Sequence, residues 1–505
     1  MAQGQSATAV ILLASALVYT VDMSNSSNYS GPAIVWFRQD LRLEDNPALA
    51  HALAHHSAVI PVYINSPEEE GDWAPGGATR WWLHHSLESL DRDLHQKRSQ
   101  LVLRSDLALP ALKTLITQTG ASAVYWNRRY EPASTARDQM VKTELRGAGL
   151  SAESFKGSLL FEPWEVATKT GGPYQVFTPF WKSCLAKPMN SDLICCPEAI
   201  PGPVQWPTSE SLLDWELLPR LKWDAGFRED WAPGESGAAA NLARFLKQAV
   251  TTYREGRNNP GQPGTSRLSP HLHFGEISPR QVWHAVSAAF RGHPHEDART
   301  FLSEIGWREF AYHILFHFPQ TPVTPLRADF SRFPWETNSA QLRAWQRGMT
   351  GYPIVDAGMR ELWTTGWMHN RVRMIVGSFL TKDLRISWTE GARWFWDTLL
   401  DADLASNTMG WQWIGGCGAD AAPYFRVFNP MTQGEKFDPE GMYVRRWIPE
   451  IAQLNNRSIH QPWMASSEEL RRAGVQLGTT YPEPIVDHAE ARVQALAAFG
   501  KLKER

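Results

Sequence analysis

The sequence has only four cysteines, Cys184, Cys195, Cys196 and Cys417, in 505 residues. None stands in C-x-x-C spacing, so neither a disulfide scaffold nor a zinc ribbon is built on them, and a reducing compartment is the natural setting. Charge of one sign is also missing: 50 Lys and Arg face 53 Asp and Glu, a formal net of −3. That excludes a histone-like chain or a basic tail, although a local basic patch is enough for nucleic acid. There is no G-x-G-x-x-G and no G-x-x-x-x-G-K-[ST], so neither standard phosphate loop supports a dinucleotide or nucleoside-triphosphate function. The histidine pairs His51/His55 and His313/His317 have no nearby Cys or acid to complete a ligand set. They read as ordinary surface or core histidines, and no metal site is expected. Repeats and low-complexity segments are absent. The one long apolar run, ATAVILLASALVYTV at 7–21, is shorter than the about 20 residues of a spanning helix. No Lys or Arg precedes Arg38 to head a secretory signal. Residues 1–32 are therefore expected to be a disordered or mis-started N-terminal extension, with a signal or membrane anchor as the other reading.

Tryptophan, in contrast, is abundant, with 24 residues. Such density suits a large buried core, stacking surfaces or redox work.

Two textures follow along the chain. Residues 33–184 alternate short β-rich apolar runs with helical periods. The runs are AIVWF at 33–37, AVIPVYI at 58–64, QLVLR at 100–104 and SAVYW at 122–126, and Leu83, Leu87, Leu90 and Leu94 share one face of a helix over 81–97. This pattern predicts βαβ units, a parallel Rossmann-like sheet that binds ligands beyond its strand ends. Residues 185–236, rich in Pro, Ser and isolated Trp, read as an interdomain linker. From 237 to 505 helical patterns dominate, at 238–250, 279–289, 298–316, 339–346, 356–365, 371–380 and 389–400, so the second domain is expected to be all-α.

Three constellations in that second domain carry possible chemistry. GTSRLSPHLHFGEISPRQ (264–281) sets small hydroxyls beside a helix start, which suits phosphate or ordinary loop capping. ELWTTGWMHNRVRMIVGSFL (361–380) lies in a stretch, 360–393, with six Lys and Arg against three acids; it fits a nucleic-acid backbone or a solvated helix face. DADLASNTMGWQWIGGCGADAAPYFRVFNP (401–430) joins acids, an amide, two Trp and small residues, as a planar ligand or a tight helix pair would require.

WFRQDLRLEDNPAL (36–49), GTSRLS (264–269), WREF (307–310), GYPIVDAGMREL (351–362), GWMHNRVRM (366–374) and DADLASNTMGWQW (401–413) together resemble the photolyase/cryptochrome family, in order and across nearly the whole chain. The resemblance is to bacterial class I cyclobutane pyrimidine dimer (CPD) photolyases. It implies an α/β antenna domain at 33–184 and a helical domain at 237–505 that binds FAD and DNA. It implies that Tyr253, Thr265, Ser266, Arg267, Leu268 and Ser269 hold the FAD phosphates. Phe301, Arg308, Asn370, Arg373, Asp401 and Asp403 would surround the rest of the flavin. Asn407 would face the central-ring nitrogen, where plant cryptochromes carry Asp and insect ones Cys. Trp307 and Trp413 would flank a flipped-out dimer. Glu304 would hydrogen-bond its thymine edge. Arg257 and Arg371 would meet DNA phosphates. Asn370 and Met374 stand at the dimer where six-four enzymes place His. Trp411, Trp388 and Trp335 would carry electrons from the surface to the flavin.

The implied reaction is light-driven splitting of cyclobutane dimers in duplex DNA by photoexcited reduced FAD, the alternative being a cryptochrome-type photoreceptor without repair. The chain ends soon after the family core, without the long tail usual in signalling cryptochromes. A monomer in the bacterial cytoplasm, at the nucleoid and off the membrane, is expected. A second, light-harvesting chromophore of folate or deazaflavin type is left open. Folate-binding members carry Asn-Glu after Tyr-Glu-x, and here Ala133 and Ser134 take those places.

Overall fold

The computed structural model describes residues 31–189, 192–421 and 425–502. The expectation for residues 1–32 lies outside these but for Gly31 and Pro32.

Five parallel strands build the first domain: β1 (Ala33–Phe37), β2 (Val59–Asn65), β3 (Val102–Ser105), β4 (Ala123–Asn127) and β5 (Ser151–Phe155), in the order β3-β2-β1-β4-β5. The helices α1 (Pro47–His55), α2 (Gly77–Gln96), α3 (Ala108–Thr119) and α4 (Pro132–Gly147) connect them. All five residues of β1 are buried, because a central parallel strand is covered on both faces, and this is why it reads as an unbroken apolar run. Ala33 pairs with Val59 on one side and Ala123 on the other. The helix expected at 81–97 starts a turn earlier, and its Leu83, Leu87, Leu90 and Leu94 are buried as the periodicity predicts. The strand β5 was not anticipated. Its sequence SAESF buries only Ala152, since an edge strand is fixed by its ladder with β4 rather than by an apolar run.

Helices form the second domain, among them Glu235–Gln248, Pro279–Ala289, Glu296–His317, Pro353–Thr365, Asn370–Ser378, Trp388–Thr398 and Leu404–Gly415. Among its described residues no strand is present, as the helical periods predict. Local signals set the boundaries. Ser278 and Gln281 form a reciprocal capping box ahead of Pro279. Asp403 caps Leu404–Gly415 by accepting from Ser406 N at 2.7 Å.

The 185–236 segment lies against the sheet domain. Val59 N donates to Pro201 O at 2.7 Å, Ile200 N to Lys97 O at 2.9 Å and Glu210 N to Leu103 O at 3.1 Å. Ile200, Leu217, Phe227 and Trp231 are buried in the core of the first domain.

The turn after β1 latches the two domains. Arg42 is 1% exposed and donates to Gly157 O (2.8 Å), Asp45 O (2.8 Å) and Gly275 O (2.9 Å). Asp45 accepts from Ser278 Oγ at 2.6 Å and pairs with Arg280. Gly275, at φ 65°, lets the backbones of 39–40 and 275 meet: a Cβ there would stand 2.2 Å from Gln39 O.

Candidate active site

Two contiguous lobes open in the helical domain. The inner one, about 250 Å³, is lined by Tyr253, Thr265, Ser266, Arg267, Leu268, Ser269, Phe301 and Asp403 among others. The outer one, about 560 Å³, is lined by Trp307, Arg371, Met374, Asn407, Trp411, Trp413 and Asp420 among others. Arg257, Glu304, Arg308, Asn370, Arg373 and Asp401 line both. The helical domain thus gathers around one cavity nearly every expected site residue, although they lie 160 positions apart in sequence at the extremes, from Tyr253 to Trp413.

Each polar group has a defined state. Arg373 donates from one nitrogen to both Asp401 oxygens, at 2.8 and 3.1 Å, and from Nε to Met368 O at 2.7 Å. Arg308 donates to Ser158 O at 2.7 Å, across the domain boundary. Burial alone would raise the Asp403 carboxyl, but His273, Arg308 and the Tyr312 hydroxyl hold it well below the usual range. Arg267, at φ 54°, sends its guanidinium between Trp231 (4.2 Å) and Trp367 (5.2 Å), toward Asp230. Asn407 donates Nδ2 to Ala392 O at 3.0 Å, which leaves its amide oxygen to a ligand. Glu304 pairs with Arg257; burial raises its carboxyl and Arg257 draws it back. Arg371 donates to Asn258 Oδ1 at 2.6 Å and lies 4.3 Å over the Phe437 ring. His369, the neighbour of Asn370, is 3% exposed and accepts from Arg371 N at 3.2 Å. Burial, with Arg371 and Arg373 beside it, pushes its pKa down to about 3, so its imidazole is neutral at physiological pH.

Of the three expected wire residues, Trp411 lines the cavity, Trp388 is buried and Trp335 is half-buried beside Phe333, at 4.4 Å. The Trp411 indole lies against Gly391, where a Cβ would stand 2.1 Å from the ring. Two further rings touch it: Phe395 at 4.9 Å and the fully buried Trp345 at 6.2 Å. Sequence reasoning missed Trp345 and Phe395, which stand in none of the stretches quoted, and His273, which lies within 264–281 but was not singled out. The histidines of the His313/His317 pair both meet Pro163 O, at 3.1 and 3.2 Å.

A second cavity, about 300 Å³, opens at the carboxyl ends of β1, β2 and β4, between the domains. Trp36, Tyr63, Trp73 and Trp396 give it aromatic walls, and Ala133 lines it. Ser134 faces Glu70, donating at 3.4 Å. A single stretch divides the two sites: Asp401 and Asp403 line the lobes described above, Ala402 and Leu404 the interdomain cavity, and His273 both.

The donor set of the two lobes suits an FAD. Hydroxyls at 265, 266 and 269 match phosphate oxygens, carboxylates and amides at 370, 401, 403 and 407 match the polar edges of ring and sugar, and Phe301 offers an apolar face.

Comparison with known proteins agrees. Residues 33–203 match the family model described as DNA photolyase, and 301–501 that described as the FAD binding domain of DNA photolyase. The chain is 51% identical to the deoxyribodipyrimidine photo-lyase of Agrobacterium fabrum over 94% of its length and 99% of the relative's. It is 42% identical to cryptochrome-1 of Arabidopsis thaliana, over 94% of this chain and 71% of that one. Among solved structures, a bacterial class III photolyase from Agrobacterium tumefaciens superposes with a TM-score of 0.91 at 50% identity, covering 95% of this chain and 100% of that one. The resemblance read in the sequence was to class I members, whereas this solved relative is described as of class III. With matching domain models, fold and cavity, the chain belongs to the DNA photolyase family.

Proposed function

We propose that the protein is a light-driven DNA repair lyase that splits cyclobutane pyrimidine dimers in duplex DNA. The observation that carries this reading is the outer lobe, where Trp307 and Trp413 offer flat walls, Glu304 a hydrogen-bonding group and Arg257 and Arg371 cations at one opening. A flipped-out pair of bases needs such a pocket. Extrusion costs a few kcal/mol, least for a poorly stacked lesion, and stacking at about 1–3 kcal/mol per base offsets it. The residues of the two lobes would hold reduced FAD, which under blue or near-ultraviolet light would supply, and recover, the electron that ring opening needs. The protein's own part is to position the dimer against that group, to exclude water between the indoles, and to present Glu304 to the thymine edge.

Asn370 and Met374 at this opening favour the cyclobutane lesion over the six-four photoproduct. Neither can deliver a proton at neutral pH, and His369 lines neither lobe. Because one chain builds the whole cavity, we take the acting species to be a monomer. Among the described residues no helix is long and apolar enough to cross a membrane, in keeping with a protein that works at the nucleoid. We further take the interdomain cavity as the seat of a light-harvesting chromophore of folate or deazaflavin type, on the strength of its aromatic walls.

The test offers the reduced, illuminated protein two duplexes, one with each lesion. Restoration of adjacent thymines from the cyclobutane substrate alone is expected. Restoration of the six-four substrate, or no repair of either, overturns the reading.

A further inference from the structure

The two indole walls of the outer lobe stand on different helices, Trp307 on Glu296–His317 and Trp413 on Leu404–Gly415. Neither is fully buried, so something beyond burial must hold their planes. Behind Trp307 lies Phe177, with ring centroids 3.7 Å apart and planes within 11°. Trp181 continues the stack, 6.4 Å from Phe177 at 15°, and closes over Gly306, where a Cβ would stand 2.6 Å from the indole. The Trp307 plane is thus one face of a ladder that begins in the helix Phe177–Leu185.

The ladder is tied to the other wall through Asp420. Its Oδ1 accepts from Phe177 N at 3.1 Å, which satisfies a first-turn donor of a helix that has no side-chain cap of its own. Its backbone oxygen accepts from Trp413 Nε1 at 3.1 Å, and its backbone N–H donates to Gln175 O at 2.9 Å. Asp420 holds φ 52°, a left-handed conformation that Asp and Asn tolerate better than most residues. One residue therefore fixes the indole of one wall through its carbonyl and the backing of the other through its carboxylate.

We infer that Phe177 and Asp420 are positioning residues for the lesion: a brace that holds the two walls at a fixed opening before DNA arrives. The inference rests on the proposed reading of the outer lobe as the dimer pocket. Preorganised walls lose little freedom on binding, whereas walls that wobble must be ordered at the expense of affinity. Undamaged DNA, which inserts nothing between the walls, gains nothing from the brace.

The experiment measures binding of the FAD-loaded protein to one duplex with and without a cyclobutane dimer. Phe177→Leu keeps an apolar side chain and removes the flat face; Asp420→Ala removes the cap, and Asp420→Asn keeps an acceptor. Phe177→Leu and Asp420→Ala should each weaken dimer binding roughly 3- to 30-fold, with flavin content and binding to undamaged DNA unchanged. Phe177→Tyr and Asp420→Asn should restore it. In a Trp307→Ala background, Phe177→Leu should have no further effect, because it acts through that indole. Undiminished dimer binding by Phe177→Leu, equal losses on both duplexes, or full additivity with Trp307→Ala overturns the brace. A wild-type protein that does not distinguish the duplexes overturns the brace and the dimer-pocket reading together, whereas a wild type that distinguishes them beside an indifferent Phe177→Leu overturns the brace alone.

Discussion

Arg257 and Glu304 are ion-paired inside the opening of the cavity, although the family resemblance gives them separate duties, one toward phosphate and one toward the thymine edge. Each holds the other in place before substrate enters.

The pair predicts a pH effect. Burial raises the Glu304 carboxyl and Arg257 lowers it. In Arg257→Ala only the raising influence remains, so Glu304 stays protonated to higher pH, and any limb of the repair rate that follows its ionisation should move to higher pH. On the expectation that Arg257 meets a DNA phosphate, its removal should also reduce the salt slope of DNA binding by about 1. Rate profiles under saturating light and salt titrations check both. An unmoved limb would show that Arg257 does not tune Glu304.

Asn407 commits its amide NH₂ to Ala392 O. Asn407→Asp loses that donor and sets a carboxylate where the flavin's central ring is expected. The variant should retain FAD but disfavour the negatively charged, fully reduced flavin. Reductive titration followed by absorption is the measurement, and wild-type retention of the reduced form would refute the role.

Trp411 alone of the three residues expected to form a wire lines the cavity. Trp411→Phe should block photoreduction of oxidised FAD by external donors, and Trp335→Phe should do the same if the exit is at Trp335. Repair by chemically reduced protein should persist in both. Photoreduction that survives Trp335→Phe but not Trp411→Phe would show that the exit is not Trp335.

Glu309 predicts how stability varies with pH. Burial pushes its carboxyl up to about 7, against Arg308 and the N–H groups of Phe161 and Leu160. The folded chain keeps this proton up to that pH, whereas the unfolded chain releases it near the ordinary value of 4.5. Between the two the native state binds more protons, so stability falls as pH rises. Glu309→Gln keeps an acceptor for both N–H groups and removes the titration. Relative to wild type, its unfolding free energy, read from denaturant titrations, should gain from about pH 5 to 7, by up to about 3 kcal/mol. Parallel curves would disprove it.

The sequence made some elements easier to read than others. Strands buried on both faces, such as β1, are written as apolar runs, and the leucine face of α2 as a period, because burial selects residue type position by position. The edge strand β5 carries no such mark. Its conformation comes from hydrogen bonds to β4. The site followed the same division. The site residues inside GTSRLS, GWMHNRVRM and DADLASNTMGWQW came together in space, but Phe177 and Trp345, outside every quoted stretch, and Asp420, inside one without being singled out, make ring and hydrogen-bond contacts that only the tertiary fold creates. Arg267 shows the limit of a motif: its position in GTSRLS was legible, but the aromatic sandwich that takes its guanidinium comes from Trp231 and Trp367, far away in sequence.

The latch around Arg42 has a bearing on how the molecule comes apart. Its three carbonyl partners come from the turn after β1, the segment after β5 and the turn before Ser278, and the 185–236 segment adds hydrogen bonds of its own to the sheet domain. The covalent crossing between the domains is then redundant. A nick within that segment should leave two polypeptides that co-elute, keep their flavin, and separate only when the fold itself is lost.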